Sequence, residues 1–157
     1  MKVLVIRFSS IGDIVLTTPV IRCLKQQRPD VELHYLTKAS FKSVVAHNPY
    51  IDKIHYLHDD FIKTLNELRA EKFDFVIDLH NNLRTARVKR ALDAKSMSFP
   101  KLNIQKWLLV NFKINLMPSY SIVERYFETV KSLGVKNDGQ GLDYFSGDDS
   151  KLGNRDI

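Results

Sequence analysis

Two hydrophobic periods alternate along this chain, and that alternation restricts its fold more than any other feature. Apolar, β-forming runs occur at 2–8 (KVLVIRF), 31–36 (VELHYL), 53–57 (KIHYL) and 73–79 (FDFVIDL), with a shorter one at 95–99 (KSMSF). Helical spacing fills the gaps. It covers 13–27 (Ile14, Leu16, Val20, Ile21 and Leu24, stopped at Arg28-Pro29-Asp30), 41–46 before Asn48-Pro49, 61–72 and 83–94. KVLVIRF does not alternate with polar residues, which marks a strand buried on both faces. Strands and helices in strict alternation, with short connections, predict an α/β fold: a parallel sheet with helices on both faces. Such sheets take ligands at the carboxyl ends of their strands.

Beyond the alternating region, 103–117 (NIQKWLLVNFKINLM) is apolar-rich and stops at Pro118; it suits either a core segment or an amphipathic element lying against lipid. Residues 121–135 (SIVERYFETVKSLGV) space Val123, Phe127, Val130 and Leu133 as a helix does, with Gly134 as its stop. From Ser146 the chain turns polar and reads as a linker or tail. A length of 157 residues suits one domain. No run approaches the roughly 20 apolar residues of a membrane span, and the first residues lack signal-peptide character. The single cysteine, Cys23, excludes an internal disulfide and falls on the apolar stripe of a helix, so a packing role and a cytoplasmic location are expected. A net charge of +6 favours an anionic partner without choosing its class.

Two loops at predicted strand ends carry most of the chemistry. RFSSIGDIVLTTP (7–19) follows the first strand, and its Ser10-Ile11-Gly12-Asp13 fits a helix capping box. The same Asp13, charged at a helix start, could accept a proton, and Gly12 would let a ligand approach the backbone. The loop has neither a Walker lysine nor GxGxxG, so nucleotide binding there is unsupported. DLHNNLRTARVKR (78–90) follows the fourth strand; Arg84 and Arg87 share a helix face, with Arg90 drifting off it. A solvated basic helix capped by Asn82 and a cradle for phosphate or carboxylate both fit. The five histidines show no metal-ligand spacing, and His58-Asp59-Asp60 reads as a helix cap. A receiver-like fold is disfavoured, because no acidic pair follows the first strand.

Taken together, IRFSSIGDIVLTTPVIRCLK, FDFVIDLHNNLRT and IVERYFETVKSLGV resemble, in order and spacing, the N-terminal half of glycosyltransferase family nine, the lipopolysaccharide heptosyltransferases. The resemblance runs from Met1 to about Phe145. It implies a Rossmann-like domain of the two-domain GT-B fold, acting in an inverting, metal-independent transfer from an ADP-heptose donor to an anionic lipid A/Kdo-type acceptor. It assigns Asp13 as general base, shaped by Ser9, Ser10 and Gly12, and places Arg84 and Arg125 at the acceptor; with the loop reading above, Asn82 and Arg87 join them as expected substrate-binding residues. Where many members carry His before x-V-E-R, this chain has Ser121. The family is about twice as long, so 1–145 is expected to be the acceptor domain and 146–157 a linker, with the C-terminal donor domain absent. Peripheral contact of 101–116 with the inner face of the inner membrane is implied as well, and no nucleic acid or cofactor.

Overall fold

A computed structural model describes residues 1–100, 110–111, 113 and 121–146. The expectations placed on 101–116 and on the tail from 147 therefore lie, for the most part, outside the described residues.

Strand β1 (Lys2–Ile6) runs into two short helices, α1 (Ile11–Val15) and α2 (Thr18–Gln27), and then strand β2 (Glu32–Lys38). A 3-10 turn (Ala39–Phe41) and α3 (Lys42–Val45) lead to β3 (Lys53–Leu57), followed by α4 (Phe61–Glu71), β4 (Phe75–Asp78), α5 (Leu83–Leu92) and β5 (Lys95–Ser98). The last described elements are α6 (Ile122–Phe127) and a 3-10 helix (Glu128–Leu133). All pairings are parallel and the strand order is β3-β2-β1-β4-β5. The predicted α/β parallel sheet is present, with strand boundaries within a few residues of expectation.

Side chains alternate across each strand and so feed two cores. Val3, Val5, Leu33, Tyr35, Phe75 and Ile77 pack with Val20, Ile21 and Leu24 of α2 and with Tyr126, Phe127 and Val130. Leu4, Ile6, Leu36 and Val76 face the other way, onto Leu68 of α4 and Val88 of α5. Both faces are dry, which is why KVLVI shows no polar alternation. Cys23 is buried in the first core, as expected of a packing residue.

Two elements expected as continuous helices are broken. The one spanning 13–27 parts at Leu16–Thr17, because Pro19 sits at the start of α2 and cannot donate to the turn before it. Thr17 Oγ1 donates to Ile14 O at 2.6 Å and Thr18 Oγ1 to Val15 O at 2.8 Å, so hydroxyls satisfy the freed carbonyls. The 121–135 helix is α-helical only through Phe127 and then tightens to 3-10, ending at Gly134 with φ 75°.

Helices after β1 lie on one face and the helix after β4 on the other, although β1 and β4 are hydrogen-bonded neighbours. The chain thus departs in opposite directions from adjacent strand ends, and a crevice opens between them. Both chemistry-bearing loops border it.

Candidate functional site

Asp13 occupies the third position of α1, with Ser10 as N-cap. Three donors converge on one of its oxygens: Ser10 N at 3.1 Å, Ser10 Oγ at 2.9 Å and Arg7 Nη2 at 2.7 Å from Oδ2. None of the three reaches Oδ1, and the side chain is 35% exposed. Partial burial pushes the carboxyl pKa up, but the bonds from Ser10 and Arg7 outweigh it, so the net shift is downward. The result is an ionised carboxylate with one oxygen anchored and the other open to an approaching group.

Arg7 does more than pair with Asp13. Its Nε donates to Ser9 O at 2.7 Å and its Nη1 to Leu79 O at 2.6 Å, so one buried guanidinium ties the loop after β1 to the end of β4. Underneath, Tyr35 OH and Thr17 Oγ1 lie 3.1 Å apart and brace the end of α1 from β2. Ser9 is half-buried and Ser10 exposed. Gly12 has no positive φ, and a Cβ there would meet no atom within 4 Å. The fold itself therefore does not require glycine at this position. Gly12 is itself exposed.

Across the crevice, buried Asp78 shapes the second loop: its Oδ1 accepts from His80 N at 3.1 Å and Asn81 N at 2.7 Å, while Oδ2 lies 2.8 Å from Lys89 Nζ. Asn82 accepts from Thr85 N at 2.9 Å and so caps α5, the first of the two roles open to it. Arg84 and Arg87 point outward and line a cleft of about 500 Å³ with Lys38, His58, Asp59 and Phe61. The Arg87 guanidinium sits 4.8 Å over the Phe61 ring, leaving its outward donors to a ligand. Asp60 Oδ1 accepts from Ile62 N and caps α4, as the sequence suggested for 58–60.

Arg125 is placed differently. It is buried on α6, donates to the Pro100 carbonyl and stacks 5.2 Å over Phe99, whose ring Tyr126 meets edge-on at 5.1 Å. It is not among the residues lining the Arg84–Arg87 cleft. The residues missed by sequence reasoning are Arg7 and Lys38. A basic residue directly after β1 was the available signal for Arg7, but its partner Leu79 lies 72 residues away.

No protein-family model matches the chain. It is 27% identical over 135 residues to lipopolysaccharide heptosyltransferase 1 of Campylobacter coli, covering 80% of this chain and 40% of that protein. It is 30% identical over 138 residues to lipopolysaccharide heptosyltransferase 3 of Escherichia coli K12, covering 79% and 40%. Among solved structures, a glycosyl transferase family 9 protein from Veillonella parvula superposes with a TM-score of 0.66 at 25% identity, over 90% of this chain and 44% of its own. The Escherichia coli heptosyltransferase WaaC with ADP superposes with a TM-score of 0.70 at 21% identity, over 91% and 50%. The chain therefore spans half or less of the length of these relatives. Within that span, sequence and fold agree: the chain resembles lipopolysaccharide heptosyltransferases in sequence and a glycosyl transferase family 9 protein in fold.

Proposed function

We propose that this chain is the N-terminal, acceptor-binding half of an inverting, metal-independent transferase that moves heptose or a related sugar from an ADP-sugar to the lipopolysaccharide inner core. The carrying observation is Asp13, a half-exposed carboxylate held through Oδ2 by Ser10 and Arg7, neither of which reaches Oδ1. In the reaction, an acceptor hydroxyl attacks the anomeric carbon from the face opposite the diphosphate. The carbon–diphosphate bond breaks, and Oδ1 takes the hydroxyl proton. Such a base contributes about 10²–10⁴-fold when it sits within hydrogen-bond reach. The ionised form favoured by the bonds from Ser10 and Arg7 is the form that can accept a proton.

The basic cleft of Lys38, Arg84 and Arg87 suits phosphate and carboxylate groups of an anionic glycolipid, since guanidinium forks match both. Arg125 is proposed to act through the Phe99–Pro100 turn that it braces. Work at the cytoplasmic face of the inner membrane fits such an acceptor; among the described residues no helix is long and apolar enough to cross a membrane. Residues 1–145 form the proposed acceptor domain and 146–157 the linker to a donor domain. Groups that stabilise the departing diphosphate are proposed to lie on that donor domain, so residues 1–157 alone are expected to bind acceptor and transfer no sugar.

Replacing Asp13 by Asn in the two-domain protein, with ADP-heptose as donor, tests the assignment. Turnover should fall at least about a hundredfold with acceptor affinity retained. Unchanged turnover removes Asp13 as base. Measurable transfer by the 157-residue chain would refute the half-enzyme reading.

A further inference from the structure

At one edge of the sheet, neighbouring strands β2 and β3 bring two histidines together. His34 is fully buried and His55 nearly so; their rings stack with centroids 5.1 Å apart, and Phe73 meets both edge-on. His34 Nδ1 lies 2.8 Å from His55 Nε2, and His34 Nε2 lies 2.8 Å from Glu32 Oε1. Glu71, the last residue of α4, arrives from the helix side, and one ligand atom from each of His34, His55 and Glu71 lies within 4.8 Å of the others.

The tautomers follow from the partners. A carboxylate can only accept, so Glu32 holds the proton on His34 Nε2 and leaves the Nδ1 lone pair aimed at His55. Moving the His55 proton from Nε2 to Nδ1 points both lone pairs at one place, with no net proton released. A neutral imidazole whose other nitrogen is held by a carboxylate is the usual arrangement of a metal-ligating histidine. Glu71 accepts hydrogen bonds from Lys53 and, at 3.0 Å, from Lys2. The Lys53 side chain is 53% exposed and can turn to water when a cation takes its place. Beside the cluster a pocket of about 440 Å³, lined by His55, His58, Glu67 and Glu71, provides an entry path and room for a water ligand.

We propose that His34, His55 and Glu71 bind a divalent transition-metal ion of the zinc class, with Glu32 orienting His34 and water completing a tetrahedron. Two imidazoles and one carboxylate favour zinc-type ions over magnesium or calcium. Zinc–nitrogen bonds of about 2.0–2.1 Å at tetrahedral angles place the two nitrogens about 3.3 Å apart. The pair opens by about half an ångström from its hydrogen-bonded spacing, within reach of ring rotation. The ion would fasten edge strand β3 to β2 and to the end of α4. It lies away from Asp13, so the inference neither needs nor alters the proposed transfer.

The test uses the purified chain, stripped with a chelator and titrated with Zn²⁺ against a chromophoric competitor. One equivalent should bind in the micromolar range or tighter, and excess Zn²⁺ should raise the melting temperature by roughly 5–10 °C. His55→Gln and Glu71→Gln should each weaken binding at least tenfold, and Glu32→Gln by about 10–100-fold. His47→Ala, an exposed histidine elsewhere, should change nothing. The zinc X-ray absorption spectrum of the unmodified chain should show two imidazole nitrogens, and it decides the matter if the variants do not fold. No saturable binding below millimolar Zn²⁺, binding indifferent to His55 and Glu71, or a spectrum without two imidazoles overturns the proposal.

Discussion

Replacing Arg7 by Met tests whether one guanidinium holds the two strand-end loops in register. Met keeps much of the buried stem and deletes all three polar contacts. The largest loss is at Leu79: the residue is fully buried, and its carbonyl loses the 2.6 Å bond from Nη1. A buried acceptor left unpaired costs about 1–3 kcal/mol. The Ser9 carbonyl, on a half-buried residue, can recover a water and adds less. The Asp13 pair adds about 0.5 kcal/mol, because that carboxylate is 35% exposed and solvent screens it. The sum is about 1.5–4 kcal/mol at neutral pH, or a melting temperature lowered by roughly 5–15 °C for a domain of this size.

Acid supplies a second signature. The folded pKa of Asp13 lies below its unfolded value, so its contribution is complete above the unfolded pKa and is lost as pH falls through the folded one. Arg7 is one cause of that lowering. The stability gap between the parent chain and Arg7→Met should therefore hold from pH 7 to about pH 5 and narrow toward the Leu79 cost as pH falls below about 4, the unfolded aspartate range. Urea unfolding across that range measures it. A gap under about 0.5 kcal/mol at pH 7, or one that widens in acid, refutes the bridging role.

Gly12→Ala should leave stability unchanged or raise it by up to about 1 kcal/mol, since the site has ordinary φ and open space, while lowering acceptor affinity if ligand approaches there; melting and acceptor titration check the two effects. Arg22, buried on α2, bonds Asp138, Asp143 and the Gly141 carbonyl, so Arg22→Leu should cost about 2–4 kcal/mol and expose 138–146 to protease. Because Arg22 holds the Asp138 pKa far below the usual carboxylate range, that stabilisation should fade only in strong acid, which urea unfolding at low pH would show. Replacing both Arg84 and Arg87 by Ala should change stability by under about 0.5 kcal/mol each and weaken binding of an anionic glycolipid in a salt-dependent way, read by titration at two ionic strengths.

How much of this was legible beforehand depended on whether a residue's partner is local. The strands were readable because double burial imposes an apolar run on the segment itself, as Val3 to Ile6 show. The Ser10–Asp13 cap and the Asn82 and Asp60 caps were readable because donor and acceptor lie within three residues. The break at Thr17 was also local, carried by Pro19, but the apolar stripe running through 14–24 masked it. Arg7 was not legible: its bond to Leu79 exists only because β1 and β4, some 70 residues apart, are neighbours. His34 and His55 met for the same reason, through a β2–β3 register that sets Leu36 opposite His55. Arg125 shows the converse limit, since the helix carrying it was foreseen but its inward turn onto Phe99 and Pro100 was not. A parallel sheet separates its spatial neighbours widely in sequence. The groups that orient a site at its switch point are therefore the ones local patterns miss. Asp13 and its two bonds from Ser10 could be read from their own turn, whereas the third donor on the same oxygen is an arginine tied to another strand.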